Sequence, residues 1–237
     1  MITVSSLDLG VSGKTAICVL RGEGFKVRMI HMQAIQSISP PDVEMWLDRI
    51  YSQYQPKIIL MEANGPGAVF HGFVERTKPH IPLATIDTSI PLPEGYELPL
   101  WDEVAINQKE YLNIRAAMYF TMRLMFRDQK ITLYKDDEEL AAQLSILRWD
   151  HDNMREDKLF MISKRKLKTV TSELDEEPFS KSPDKADALA LACFAYALVQ
   201  LQENEDAGDA PQELDEFIQP PADGFFSSEG FEGEVAI

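Results

Sequence analysis

The hydrophobic pattern opens with three short β-type runs and then switches to helical spacing. Residues 2–8 (ITVSSLD) and Thr15–Leu20 (TAICVL) are rich in β-formers, and Phe25–Met32 alternates apolar with polar. Gly22-Glu23-Gly24 separates the last two as a turn, so the chain begins as a three-strand meander. Ser39-Pro40-Pro41 starts a helix whose Val43, Trp46, Leu47 and Ile50 share one face. Lys57–Met61 reads as a short buried strand, Ala68–Thr77 as a helix and Ile81–Ile86 as a further strand. Asp87–Asn107, with Pro91, Pro93, Pro99 and Trp101, is expected to be an excursion without regular structure. Gln108–Phe126 predicts a long amphipathic helix with Tyr111, Ile114, Arg115, Met118, Met122 and Met125 in a stripe, most simply a core face. Ile131–Leu133 is a brief extended piece and Asp136–Trp149 a helix. Leu159–Ser163 is expected as a strand or hairpin arm, and a last helix spans about Pro183–Leu201.

The order β-β-β-α-β-α-β, with a late helix returning to the first strand, resembles the α/β ribonuclease H-like fold. A central mixed sheet of five or more strands, flanked by helices, is therefore expected over residues 1–201. Residues 202–237 are acidic, contain Gly and Pro and lack periodicity, so they are expected to be a disordered tail. Phe217, Phe225, Phe226 and Phe231 could serve there as docking anchors, although most such tails are simply solvated.

Composition narrows the setting. The net charge is −16, but eleven acidic residues and no basic ones fall after Leu201, leaving 28 acidic against 23 basic residues before that point. That balance leaves a DNA substrate open and requires a local basic patch to hold it. No run is long and apolar enough to span a membrane, and no basic stretch followed by an apolar one opens the chain, so neither anchor nor signal peptide is expected. Cys18 and Cys193 lie inside apolar patterns and read as reduced core residues.

The candidate chemistry lies where apolar segments end. Asp8 closes the first run, Glu62 follows IILM, and Asp184 and Asp187 open the last helix, three apart and so on one face. Singly, three have a plain structural account: Asp8 in a turn, Glu62 as a surface charge, Asp184 favouring the helix dipole; Asp187, inside an apolar helix, is harder to dismiss. Together they deliver acid from three segments to one sheet edge, where buried charge is costly unless paired or bound to a cation. Carboxylates without His or Cys suit hard cations, so a pair of Mg²⁺ or Mn²⁺ ions is the expected occupant. Asp8 would bridge both, Glu62 would hold one, and Asp187 with Asp184 the other, in two-metal phosphodiester hydrolysis. Lys164, Arg165, Lys166 and Lys168 lie just before the acidic helix and could contact phosphates, or simply form a solvated face. Asn64 either orients a water or ligand, or supports its turn.

Gly13-Lys14-Thr15 ends like a P-loop, but Asp8 stands where the first glycine is needed and strands follow instead of a helix. LDLGVSGKT also resembles the first phosphate loop of actin-like kinases, which need a second such domain.

Several stretches together resemble the nuclease domain of the large terminase subunit of tailed bacteriophages. In order they are LDLGVSGKTAICV, LMEANGPGAVFHGFVE, LNIRAAMYFTMRLMF, ITLYKDDEELAAQLSILRW, MISKRKLK and KSPDKADALALA, covering roughly residues 2–200. The resemblance implies a metal-dependent endonuclease that cuts concatemeric viral DNA during packaging. It acts in the cytoplasm of the infected host and is not a virion component. The implied partners are double-stranded DNA, a packaging ATPase domain, a small terminase subunit and a portal. By motif position Asp8, Glu62 and Asp187 take the metal-binding roles, with Asp184 a fourth. Related domains often carry an acid where Lys14 stands; a lysine there could contact DNA. The chain carries no motor ATPase, as expected of an excised domain or a split-gene product. Two other readings compete: a RuvC-type Holliday-junction resolvase, which shares the fold and the acid arrangement, and a non-catalytic module docking motor to portal.

Overall fold

The opening strands form as their patterns predict, the first with the expected bounds and the next two longer. β1 (Ile2–Asp8), β2 (Lys14–Glu23) and β3 (Lys26–Gln36) make an antiparallel meander, with Asp8 opposite Ala16 and Lys14 opposite Gln36. This computed structural model describes residues 1–10, 14–36, 39–63, 66–95, 97–102, 104–133, 136–149, 158–159, 161, 183–205 and 218–219. β1 is buried along its whole length, the reason its sequence is a continuous run without alternation. α1 (Pro40–Tyr54) starts with two prolines in its first turn, where a missing N–H costs nothing, and buries Val43, Trp46, Leu47 and Ile50.

β4 (Ile59–Glu62) then lies parallel to β1, and β5 (Leu83–Ile86) parallel to β4. α2 (Pro66–Thr77) connects them. Among the described residues, one mixed sheet has the order β8-β3-β2-β1-β4-β5-β9, where β8 is Ile131–Thr132 and β9 is Ile218–Gln219. Helices cover both faces. On one side α1 and α2 pack on Leu7, Ile17, Val19, Ile59 and Met61. On the other, α3 (Ile114–Arg127), α4 (Glu138–Ile146) and α5 (Asp184–Glu205) pack on Val4, Cys18, Leu20, Ile58 and Leu60. α5 is buried from Ala186 to Leu201, which explains its all-round apolar sequence. Its alanines let it approach β1 closely enough for the Ser6 hydroxyl to donate to the Ala188 carbonyl at 2.6 Å. Cys18 and Cys193 are buried and unbridged.

Four expectations change. The excursion 87–107 contains a hairpin of β6 (Glu97–Pro99) and β7 (Ala105–Asn107), which buries Leu98 and Ile106 completely. Three-residue strands are too short to show a period, and Pro99 ends an edge strand where no ladder N–H is required. α3 begins at Ile114, not Gln108, because Asn113 caps it by accepting from the Ala116 N–H at 3.0 Å. α4 is confined to nine residues by the Asp137 cap and by the extended Leu147. α5 runs past residue 201 to Glu205, where Glu203 pairs with Lys57, and Ile218–Gln219 add a strand beside β5 within the expected tail. The sheet edge supplies that pairing; two residues carry no local strand signal. Of the arm expected at 159–163, Leu159 and Met161 make isolated bridges to Tyr111 and Trp149, and the rest lies outside the described residues.

Candidate active site

Asp8 and Glu62 are the last residues of β1 and β4. These parallel neighbours pair Leu7 with Met61, so the two acids follow one step later, side by side across a strand spacing of about 4.8 Å. Alternation puts Asp8 on the face of Ser6, which touches α5, and Glu62 on the face of Leu60, which packs in the α5-side core. The start of α2 lies close against Glu62. A Cβ on Gly67 would lie 2.0 Å from the Glu62 carbonyl oxygen, so α2 can begin there only with glycine. The Thr88 hydroxyl donates to Glu62 Oε1, and the Thr88 carbonyl accepts from the Arg115 N–H at 2.9 Å. Glu62 is thereby tied to the start of α3.

α5 brings the remaining acids in its first turn. Asp184 and Asp187 are only 4 % and 6 % exposed, and Asp8 7 %. Asp184 Oδ2 accepts from the Lys14 backbone N–H at 3.1 Å. The Ala186 N–H, otherwise an orphan of the helix start, donates to the buried Gln143 Oε1 at 3.0 Å. Asp187 Oδ1 receives two donors from α3: Arg115 Nη2 at 3.0 Å and the Tyr119 hydroxyl. Arg115 and Tyr119 are four apart and so share a helix face, with the guanidinium carbon 5.3 Å from the ring centroid.

The electrostatics link the acids to one another. Burial opposes the Arg115 charge, but Asp187, Tyr119, Glu62 and Asp8 together outweigh it and raise its pKa. Burial, then the Asp187 charge, push the Tyr119 hydroxyl well above its ordinary value, so it remains a donor at any working pH. Asp8, Glu62 and Asp187 thus act on one guanidinium, although they come from positions far apart in the chain.

Not every candidate converges in the same way. Lys14 directs its ammonium to Glu139, which also meets Lys185 at 3.0 Å; Lys185 binds Asp137 at 2.8 Å. Asn64, Lys164, Arg165, Lys166 and Lys168 lie outside the described residues. The all-oxygen donor set suits Mg²⁺ or Mn²⁺. Among the described residues, however, no three His, Cys, Asp or Glu side chains stand as a group able to hold a metal ion.

The sequence pattern puts the four acids at element ends, as observed, but carries no mark of Thr88, Tyr119 or Gln143 and shows Arg115 as one more member of a core stripe. A cation on an otherwise apolar helix face was the available signal, since such a charge requires a buried partner.

No family model matches the chain, and no curated protein matches it. Solved structures do. The nuclease domain of the large terminase subunit of bacterial virus Sf6 is 16% identical with a TM-score of 0.59, over 81% of this chain and 88% of that one. A mutant of the same domain with manganese gives 15%, 0.57, 81% and 88%. The large terminase nuclease of thermophilic phage G20c with bound magnesium gives 11%, 0.54, 81% and 80%. The chain therefore has the α/β, ribonuclease H-like fold that these terminase nuclease domains share. No described helix is long and apolar enough to cross a membrane.

Proposed function

We propose that the chain is a terminase large-subunit nuclease: a metal-dependent endonuclease that cuts duplex viral DNA during genome packaging. One observation carries this reading. Asp8 and Glu62 end the neighbouring parallel strands β1 and β4, where open α/β sheets place their sites, and Arg115 bonds Asp187 of α5 while its backbone is tied through Thr88 to Glu62. Binding of magnesium or manganese by similar folds supports the metal requirement.

Asp8, Glu62 and Asp187 would hold two divalent cations, with Asp184 a fourth ligand. Bound there, such ions lower the pKa of the attacking water and neutralise the leaving oxygen. The chain's own part is to position. Thr88 fixes the orientation of Glu62, and Tyr119 holds Asp187 Oδ1 from a fully buried place. Lys164, Arg165, Lys166 and Lys168 would meet the phosphate backbone, which the Lys14 ammonium, paired with Glu139, would reach only by leaving that carboxylate; Asn64 would orient a water or ligand. A packaging ATPase domain, a small terminase subunit and a portal would be the partners, in the cytoplasm of an infected cell.

Digestion of supercoiled plasmid with and without Mn²⁺, beside the Asp8→Ala variant, tests the proposal. Mn²⁺-dependent cutting that the variant lacks is expected. Strong preference for four-way junctions over linear duplex would favour a junction resolvase. No cutting and no thermal stabilisation by Mn²⁺ would favour a non-catalytic docking module.

A further inference from the structure

We propose that Arg115 is the site's built-in counter-cation, a positioning residue that holds Asp187 until a divalent cation displaces it and so sets how readily the site takes up metal. This rests on the reading of the acids as a metal site. The argument begins with lone pairs. A carboxylate oxygen offers about two acceptor positions, and Asp187 Oδ1 already receives two donors, Arg115 Nη2 and the Tyr119 hydroxyl. That oxygen can turn to a metal only when a donor leaves.

The two donors differ in their freedom to leave. Tyr119 is 2 % exposed and packed in the core. The Arg115 side chain keeps 21 % of its surface open. Its backbone is fixed by the bond to the Thr88 carbonyl, but its long side chain has a route to solvent. Charge points the same way. The guanidinium is permanently protonated and coupled to Asp187, Glu62 and Asp8, the three groups that would ligate metal. A divalent ion among the same carboxylates would face like charge at close range. Guanidinium and metal therefore compete for one set of acids.

Competition has a consequence that a purely structural arginine lacks. Removing the charge should tighten metal binding even while it loosens the fold. The test is Mn²⁺ titration calorimetry on the full chain, with Arg115→Gln and Arg115→Lys beside the parent. Arg115→Gln keeps an N–H donor but no charge. It should bind Mn²⁺ roughly 5- to 150-fold more tightly, the usual span of coupled binding, and gain more in melting temperature from Mn²⁺. Arg115→Lys, which retains the charge, should stay near the parent. Equal or weaker binding by a folded Arg115→Gln overturns the proposal.

A measurement on the unaltered chain guards against a variant that does not fold. The Arg115 Nη2–H resonance, the group bonded to Asp187, should be protected from solvent exchange in chelator and lose that protection as Mg²⁺ saturates. Protection retained at saturation overturns the role of Arg115 and leaves the metal site standing. If no form takes up Mn²⁺ or Mg²⁺, the metal reading fails and the counter-cation role with it.

Discussion

Two charged clusters flank the first turn of α5, and they are built differently. In one, Lys14, Glu139, Lys185 and Asp137 alternate in sign, so each carboxylate meets an ammonium of its own neighbourhood. In the other, among the described residues, the Arg115 guanidinium meets Asp187 directly and feels Glu62 and Asp8 at longer range. The first arrangement pins α4 and β2 to α5 and is complete in itself. The second brings acids from two strand ends and a helix start to one guanidinium. Ion pairs alone therefore do not distinguish a brace from a site; whether the carboxylates pair one by one or come together on a shared group does.

The largest effect that sharpens this contrast belongs to the shared cluster. Asp187→Asn should abolish Mn²⁺-dependent plasmid cutting while leaving the far-ultraviolet circular dichroism unchanged, and residual cutting would remove Asp187 from the site. Thr88→Val, which keeps the shape but loses the donor to Glu62, should cost about 10- to 100-fold in metal affinity or cutting rate, as outer partners of ligands do. A Mn²⁺ dependence identical to the parent's would show that Thr88 does not orient Glu62.

Breaking the brace should look different. Lys185→Met removes an ammonium from Asp137 and Glu139 and should lower stability by about 1–3 kcal/mol in urea melts, with a much smaller effect on cutting. A collapse of cutting without loss of stability would contradict the division between brace and site. The brace also sets an acid limit. Burial tends to raise the Asp137 and Glu139 pKa values, but Lys185 and Lys14 lower them further, below the ordinary 3.8 and 4.5. Depressed carboxylates contribute stability that is present above those ordinary values and is lost as pH falls through the lowered ones. Urea midpoints should thus decline below about pH 4.5, and less steeply in Lys185→Met; parallel curves would refute the assignment. The smallest effect lies far from both clusters. Tyr196→Phe loses the 2.7 Å bond to the Gly24 carbonyl and should cost about 0.5–1.5 kcal/mol with cutting unchanged.

How much of this was legible varies by segment. β1, β4 and α5 could be read because continuous apolar runs belong to elements covered on every side. The acids at their ends stood out for the same reason, as charge where burial begins. The start of α3 was hidden, since Tyr111 is buried yet bridges Leu159 instead of joining the helix. The β6–β7 hairpin was hidden because Leu98 and Ile106 each stand alone in three residues. Thr88 carried no mark at all: a threonine after a strand is unremarkable until Glu62 is beside it.

Sequence alone determined the opening meander, β4, β5 and α5, and that Asp8, Glu62, Asp184 and Asp187 sit at element ends, because periodicity and the cost of burying charge are local and visible in order along the chain. Only the tertiary structure decided what those acids meet. Arg115 and Tyr119 reach Asp187 from 72 and 68 residues away, and Lys14 turns to Glu139, because α3 and α4 pack across α5 at an angle and depth that no stretch of neighbouring residues encodes.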